Sequence, residues 1–235
     1  MKSLALLFLL LVPCLAFAGE KDPVYLDPAT VDIRVIGNPP ADGSAETKAE
    51  IEMLLALQSS RTPEEIARAQ AEIDYDPAAF FSGVVDPAWF NKEKLPRTFA
   101  LLKAVKGDSK LVTAQGKKLW DRPRPPRQDN RLHPAGELPD SPSYPSSHAA
   151  LGVTWAVVLG KLMPDAQAAL LERGKLAGKD RNILGVHFPS DVAAGQKLGA
   201  LLADRFLALP AFQADLAKAK AEVDAVRPLP ANAGR

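Results

Sequence analysis

From His148 to Met163 the chain runs for sixteen residues with Lys161 as its one fixed charge. A helix that is apolar all round must be buried. Sixteen residues are too few to cross a bilayer comfortably, and Lys161 argues further against a span. The segment therefore predicts a core helix that other elements have to surround. Its flanks agree, with Pro145 before it and Pro164-Asp165 restarting a helix towards Gly185. Pro189 opens a further helix to about Leu209, and residues 212–226 form a last amphipathic one, rich in alanine and charge.

Upstream the same reading continues. Ile51, Leu54, Leu55 and Gln58 lie at three-four spacing in a helical stretch beginning at Glu46. Thr62-Pro63-Glu64-Glu65 is a helix start, with Thr62 as N-cap and Glu65 in the capping-box position. Asp86-Pro87 reads as another start, for a helix running towards Val105, and Ser109 as the cap of the next, which carries Lys117 and ends near Trp120. No segment shows the alternation of a strand, aromatics make up only 6%, and alanine and leucine are abundant. The expectation is an all-α domain: a helix bundle built from the second half of the chain, with its site at one end and the helices before Lys117 packed around it.

The ends differ from this body. Lys2, the apolar stretch Leu4–Val12 and Ala16-Phe17-Ala18 read as a secretory leader over residues 1–18, cleaved before Gly19. Cleavage there removes Cys14, the only cysteine, so the mature chain has neither disulfide nor thiol chemistry. Export puts the protein in the periplasm. Residues 19–45, with Pro23, Pro28, Pro39 and Pro40, read as an extended arm on the helical domain of residues 46–228, and 229–235 as a flexible tail. Lys2 is one of 29 basic residues, so its loss leaves them balanced with the 28 acidic ones. That balance favours neither nucleic acid nor a membrane as partner.

Three short segments carry chemistry. In Lys117-Lys118-Leu119-Trp120-Asp121-Arg122-Pro123-Arg124-Pro125, prolines end the helix before Arg124, so Lys117 and Arg124 can converge on one anion or belong to a solvated basic patch with Arg122, Arg127 and Arg131. Pro145-Ser146-Ser147-His148 opens the apolar helix, whose free N–H groups favour an anion; equally, its serines can cap the helix around a structural histidine. In Arg181 to Asp191, His187 and Asp191 lie four apart across Pro189. A carboxylate at that spacing can fix an imidazole tautomer, leaving the other nitrogen free to attack, or it can simply cap a helix. Between the first two segments, residues 126–145 hold five prolines without helical period and read as a flank of the site.

Together, in this order, these residues resemble the bacterial class A nonspecific acid phosphatases, within the superfamily of type 2 phosphatidic acid phosphatases and vanadium haloperoxidases. Lys117, Arg124, Pro125, Pro145, Ser146, His148, Arg181, His187 and Asp191 match the superfamily pattern in spacing. Tyr25-Leu26-Asp27-Pro28-Ala29-Thr30, Pro39-Pro40 and Arg61-Thr62-Pro63-Glu64 carry the similarity to class A. Two positions depart: Ser147 stands for the motif glycine, and Asp180, where serine is usual, could pair with Arg181 and weaken its charge.

The resemblance implies a helical bundle of that superfamily and metal-free hydrolysis of phosphate monoesters, with phosphate transfer to other alcohols as a side activity. It implies His187 as nucleophile, Asp191 as its orienter and His148 as acid and base. Lys117, Arg124, Ser146, Ser147 and Arg181 would hold the phosphate, with no cofactor, in a self-associating protein. Three alternatives remain open: a metallohydrolase using His148, His187 and Asp191 as ligands, a vanadate-dependent haloperoxidase, and a non-catalytic phosphate-binding protein.

Overall fold

The structure is a computed structural model and describes residues 22–228. The expected leader and tail lie outside the described residues. Nine α-helices follow one another there: α1 (Ala45–Ser60), α2 (Pro63–Ala71), α3 (Pro77–Phe80), α4 (Pro96–Trp120), α5 (Pro125–Gln128), α6 (Ser147–Leu162), α7 (Gln167–Ile183), α8 (Pro189–Ala208) and α9 (Pro210–Val226). No strand forms among the described residues beyond one isolated bridge between Ser82 and Val85. No described helix is long and apolar enough to cross a membrane.

The apolar segment is the centre. Leu151, Trp155, Val158, Leu159 and Leu162 of α6 are all buried, with α7 and α8 packed along it and α4 and α9 closing the other sides. Small residues set these distances. A Cβ on Gly152 would meet the Gly174 carbonyl oxygen of α7 at 2.3 Å, and one on Gly199 of α8 would meet the Ala150 carbonyl oxygen at 2.3 Å. The helices thus touch main chain to main chain. In an isolated helix Gly→Ala stabilises by about 1 kcal/mol. Here the overpacking penalty, about 1–3 kcal/mol or more, reverses the sign. Gly152→Ala is expected to lower Tm by several degrees, as thermal unfolding monitored by circular dichroism will show.

Two helix starts differ from expectation. Asp86-Pro87 opens a turn, not a helix: the Asp86 carboxylate accepts the Ala88 N–H at 2.8 Å. Pro96 gives the reason, since the residue before proline is driven out of helical conformation. Leu95 has φ −125° and ψ 54°, and the helix starts only after it. Ser109 caps nothing. It is buried in the middle of α4, on the face shared by Leu102, Val105, Asp108 and Val112. A buried polar pair within an unbroken three-four pattern had imitated a boundary.

Asp108 is buried because it holds the arm. Its carboxylate accepts the N–H groups of Val24 (2.9 Å), Tyr25 (2.8 Å) and Leu26 (2.9 Å). The arm then makes two 3₁₀ turns, capped by Asp27 and Asp32, and buries Leu26, Val31, Ile33 and Ile36 in the main core. Thr62 and Glu65 form the expected capping box at the start of α2.

Candidate active site

α4 ends where Asp121 adopts a left-handed conformation (φ 42°, ψ 34°), its N–H bonded to the Lys117 carbonyl. The chain turns back there, and Arg122 and Arg124 enter the interior, each at most 3% exposed. Neither belongs to a solvated patch. The long proline-bearing loop forms the wall that receives them. Arg124 donates from Nε to the Ser141 carbonyl (2.8 Å), from Nη2 to the Ser141 hydroxyl (3.1 Å) and from Nη1 to the Val186 carbonyl (2.7 Å). Lys117 Nζ donates to the Pro142 carbonyl.

His187 lies against this wall, 3% exposed. Its Nε2 is 3.1 Å from Arg124 Nη1, and its Nδ1 faces Asp191 Oδ2 at 3.3 Å and Ser143 Oγ at 3.4 Å. A guanidinium has only donors, so Nε2 must accept and the ring proton must sit on Nδ1, towards Asp191. The tautomer with the proton on Nδ1 and the lone pair on Nε2 therefore follows from the neighbours. Burial, then the charges of Arg124, Lys117 and Arg181, hold the imidazole well below the usual histidine range.

Asp191 performs both tasks that its sequence position left open. One carboxylate oxygen accepts the Phe188 N–H at 2.8 Å, closing the start of α8, and the same oxygen faces His187 and accepts from Ser143 Oγ. The other accepts from Arg122 Nη1 at 2.7 Å. Arg122 also donates to Ser190 Oγ (2.8 Å) and to Glu50 Oε2 on α1 (3.0 Å), with its guanidinium 3.9 Å from the Phe188 ring centroid.

Arg181, at the end of α7, is 4% exposed, and its Nε and Nη1 are buried without a hydrogen-bond partner. Unmet buried donors on a charged group are costly. A tetrahedral anion between Arg181, Arg124 and Lys117 would satisfy them. Asp180 does not pair with Arg181: it forms a two-pronged pair with Arg68 of α2, at 2.7 and 2.9 Å.

The serines of α6 are caps and braces. Ser146 is the N-cap, its hydroxyl accepting the Ala149 N–H at 3.3 Å and its N–H donating to the Asp191 carbonyl at 3.0 Å. Ser147 begins the helix outside the positive-φ positions, so replacing the motif glycine brings no backbone strain, and its hydroxyl donates to Thr113 Oγ1 at 3.2 Å. One residue on, His148 has its Nε2 buried without a partner. Burial, then Arg181 and His187, push it well below the usual histidine range.

This arrangement coincides with a sequence match: residues 99–213 fit the family model described as PAP2 superfamily. The chain carries a PAP2 superfamily domain. Among curated proteins it is similar to the non-specific acid phosphatases of Salmonella typhimurium (36% identical over 158 residues) and Salmonella typhi (35% over 158), and to that of Providencia stuartii (38% over 86). The two Salmonella matches cover 63% of this chain, and the chain spans 60% of the length of those relatives. Among solved structures the fold is similar to that of a bacterial vanadium-dependent iodoperoxidase (TM-score 0.56, 18% identity, 74% of this chain and 53% of the other). It is likewise similar to Aquifex aeolicus LpxE (TM-score 0.51, 21% identity, 71% of this chain and 97% of the other).

The PAP2 domain brings Lys117, Arg124, Arg181, His187 and Asp191 into one charged region, with His148 at its edge. Sequence reasoning missed four side chains around it. Arg122 was hidden among basic neighbours. Ser143 lay in a loop without pattern. Glu50 left a trace, since it falls in the buried stripe of Thr47, Ile51 and Leu54 on α1, where a carboxylate needs a partner. Tyr75 left none. Its ring stacks on His148 with centroids 3.9 Å apart.

Proposed function

We propose that the protein is an acid phosphatase that hydrolyses phosphate monoesters through a phosphohistidine on His187. The observation that carries this reading is the pairing of an unprotonated His187 Nε2, 3.1 Å from Arg124, with the two partnerless nitrogens of buried Arg181. A nucleophile and unfilled donors face the place where a phosphoryl group would sit, and phosphoryl transfer is mainly positioning and charge stabilisation.

In this scheme Nε2 attacks phosphorus and the bond to the alcohol oxygen breaks. The leaving oxygen takes a proton from His148, and the positive charge on His187 is balanced by Asp191. Neutral His148 then takes a proton from water as its oxygen attacks phosphorus, the N–P bond breaks, and phosphate leaves. Arg124, Arg181 and Lys117 hold the equatorial oxygens throughout. The side chains nearest Nε2 are cationic, which suits an anion and not a metal ion. A bound dianion raises the depressed His148 towards protonation, and an acidic optimum follows. Residues 1–18 would deliver the enzyme to the periplasm.

The direct test is phosphate release from p-nitrophenyl phosphate at acidic pH with excess chelator. Turnover that survives the chelator supports the reading; chelator-sensitive turnover, or none under any condition, removes it.

The pH dependence has a second limb. Burial, then Arg124, bring Lys117 down to about 7. Its charge is present below that value and lost as pH rises through it, so affinity for anions weakens above about pH 7. Lys117→Arg keeps its charge far above that range. The expected result is inhibition by tungstate, which does not titrate there, that fades above pH 7 in the wild type but persists to higher pH in the variant. Identical profiles would show that Lys117 does not set the limb.

A further inference from the structure

His148 must carry a proton when the alcohol leaves, in surroundings that oppose the charge. It is 6% exposed, and its Nε2 is buried without a partner. Arg181 of α7 and His187, just before α8, both act against a proton there, and only the main chain at Glu72 and Ile73 counters them. Asp191 serves His187 instead, and two further buried carboxylates, Glu72 and Asp180, are taken up by Arg173 and Arg68. No carboxylate among the described residues pairs with His148. What meets it is a ring face. Tyr75 lies flat on the imidazole, with centroids 3.9 Å apart and planes 24° from parallel. Phe80 is parallel within 11° but farther away, at 5.8 Å. On the other face of Tyr75, Lys110 Nζ of α4 sits 4.0 Å from the centroid. Tyr75 is itself held at φ 57°, a strained backbone that persists only where its surroundings impose it.

We propose that Tyr75 is a positioning residue for the acid: its π face, shared between Lys110 and His148, stabilises the imidazolium that gives its proton to the leaving alcohol. This rests on the hydrolase reading above. An aromatic face attracts a cation at such a distance, and more strongly where water is excluded. Neutral imidazole gains far less, so the ring favours the protonated form. Lys110 draws on the same ring from the opposite side, so its charge and that of His148 oppose each other. The ring thus promotes the acidity that the site needs, and Lys110 limits it.

Single-turnover cleavage of glycerol 1-phosphate, by enzyme in saturating excess, isolates the step in which His148 acts as acid, and its rate falls with pH as that proton is lost. Tyr75→Leu keeps an apolar cover without a π face, and should bring this fall about one pH unit lower. Tyr75→Phe should leave it in place. Lys110→Met should move it the opposite way, to higher pH. With 2,4-dinitrophenyl phosphate, whose leaving group needs no proton, all three variants should share the wild-type profile. A Tyr75→Leu profile reduced in rate but unmoved in pH, an equal shift with both esters, an equal shift in Tyr75→Phe, or a Lys110→Met shift to lower pH would overturn the assignment while leaving the hydrolase reading intact. A wild type that cleaves neither ester removes both.

Discussion

The His187→Ala variant is expected to lose turnover of p-nitrophenyl phosphate by at least about ten-thousandfold, the scale seen when a covalent nucleophile is removed. The fold should survive. Arg124 keeps its bonds to Ser141 and Val186, and Asp191 keeps Arg122, Ser143 and the Phe188 N–H. Loss of activity with near-wild-type Tm therefore isolates the chemistry. A rapid alkaline quench of the wild type with labelled substrate should trap phosphate on His187, because N-linked phosphate is stable to base and labile to acid. Appreciable residual turnover, or label on another residue, would mean that a different group attacks phosphorus.

Arg122→Met tests a residue that no motif pointed to, and it should be the most damaging change outside the anion-facing residues. The guanidinium is the counter-charge for two buried carboxylates, Asp191 at 2.7 Å and Glu50 at 3.0 Å. Removing one member of such a pair costs about 3–5 kcal/mol, because the survivors stay buried and uncompensated. For a domain of this size that is a fall of roughly 6–20 °C in Tm. The orienting carboxylate also loses its anchor, and loss of a supporting contact of that kind lowers activity by about 10–100-fold. Adding Glu50→Gln should return part of the stability, since it removes one orphaned charge, so the double variant should be less than additive. Unchanged Tm and kcat in Arg122→Met would show that Asp191 is held by its N–H and hydroxyl donors alone.

Most of the helical architecture was legible because its signals are local. The apolar run around Trp155, the capping box at Thr62 and the prolines at 63, 164 and 189 act within a few residues. The errors came where a local signal served a distant partner. Ser109 looked like a cap, yet it lies inside α4 beside Asp108, whose carboxylate receives three N–H groups from residues more than eighty positions away. Asp180 looked like the partner of its neighbour Arg181, but a helix sends adjacent side chains in different directions, and Arg68 of α2 took it. The residues gathered around His187 were legible by type and spacing. Their supports, Arg122, Ser143, Glu50 and Tyr75, were not, because supporting contacts depend on which segments meet in space.

The glycine contacts between α6, α7 and α8 bear on how such a fold can change. Where helices meet through side chains, a lost or gained methylene is absorbed by neighbours shifting rotamer. Between Gly152 and Gly174, and between Gly199 and Ala150, there is no side chain to shift. The separation of the elements bearing His148, Arg181 and His187 is then fixed by atomic radii, much as a machined part is fixed by its gauge. Selection or design for new substrates has little room inside that gauge. It has room at the rim, in the turn around Tyr75 and the proline-bearing loop, and libraries aimed there should yield altered selectivity at lower cost in folding than libraries aimed at the helices.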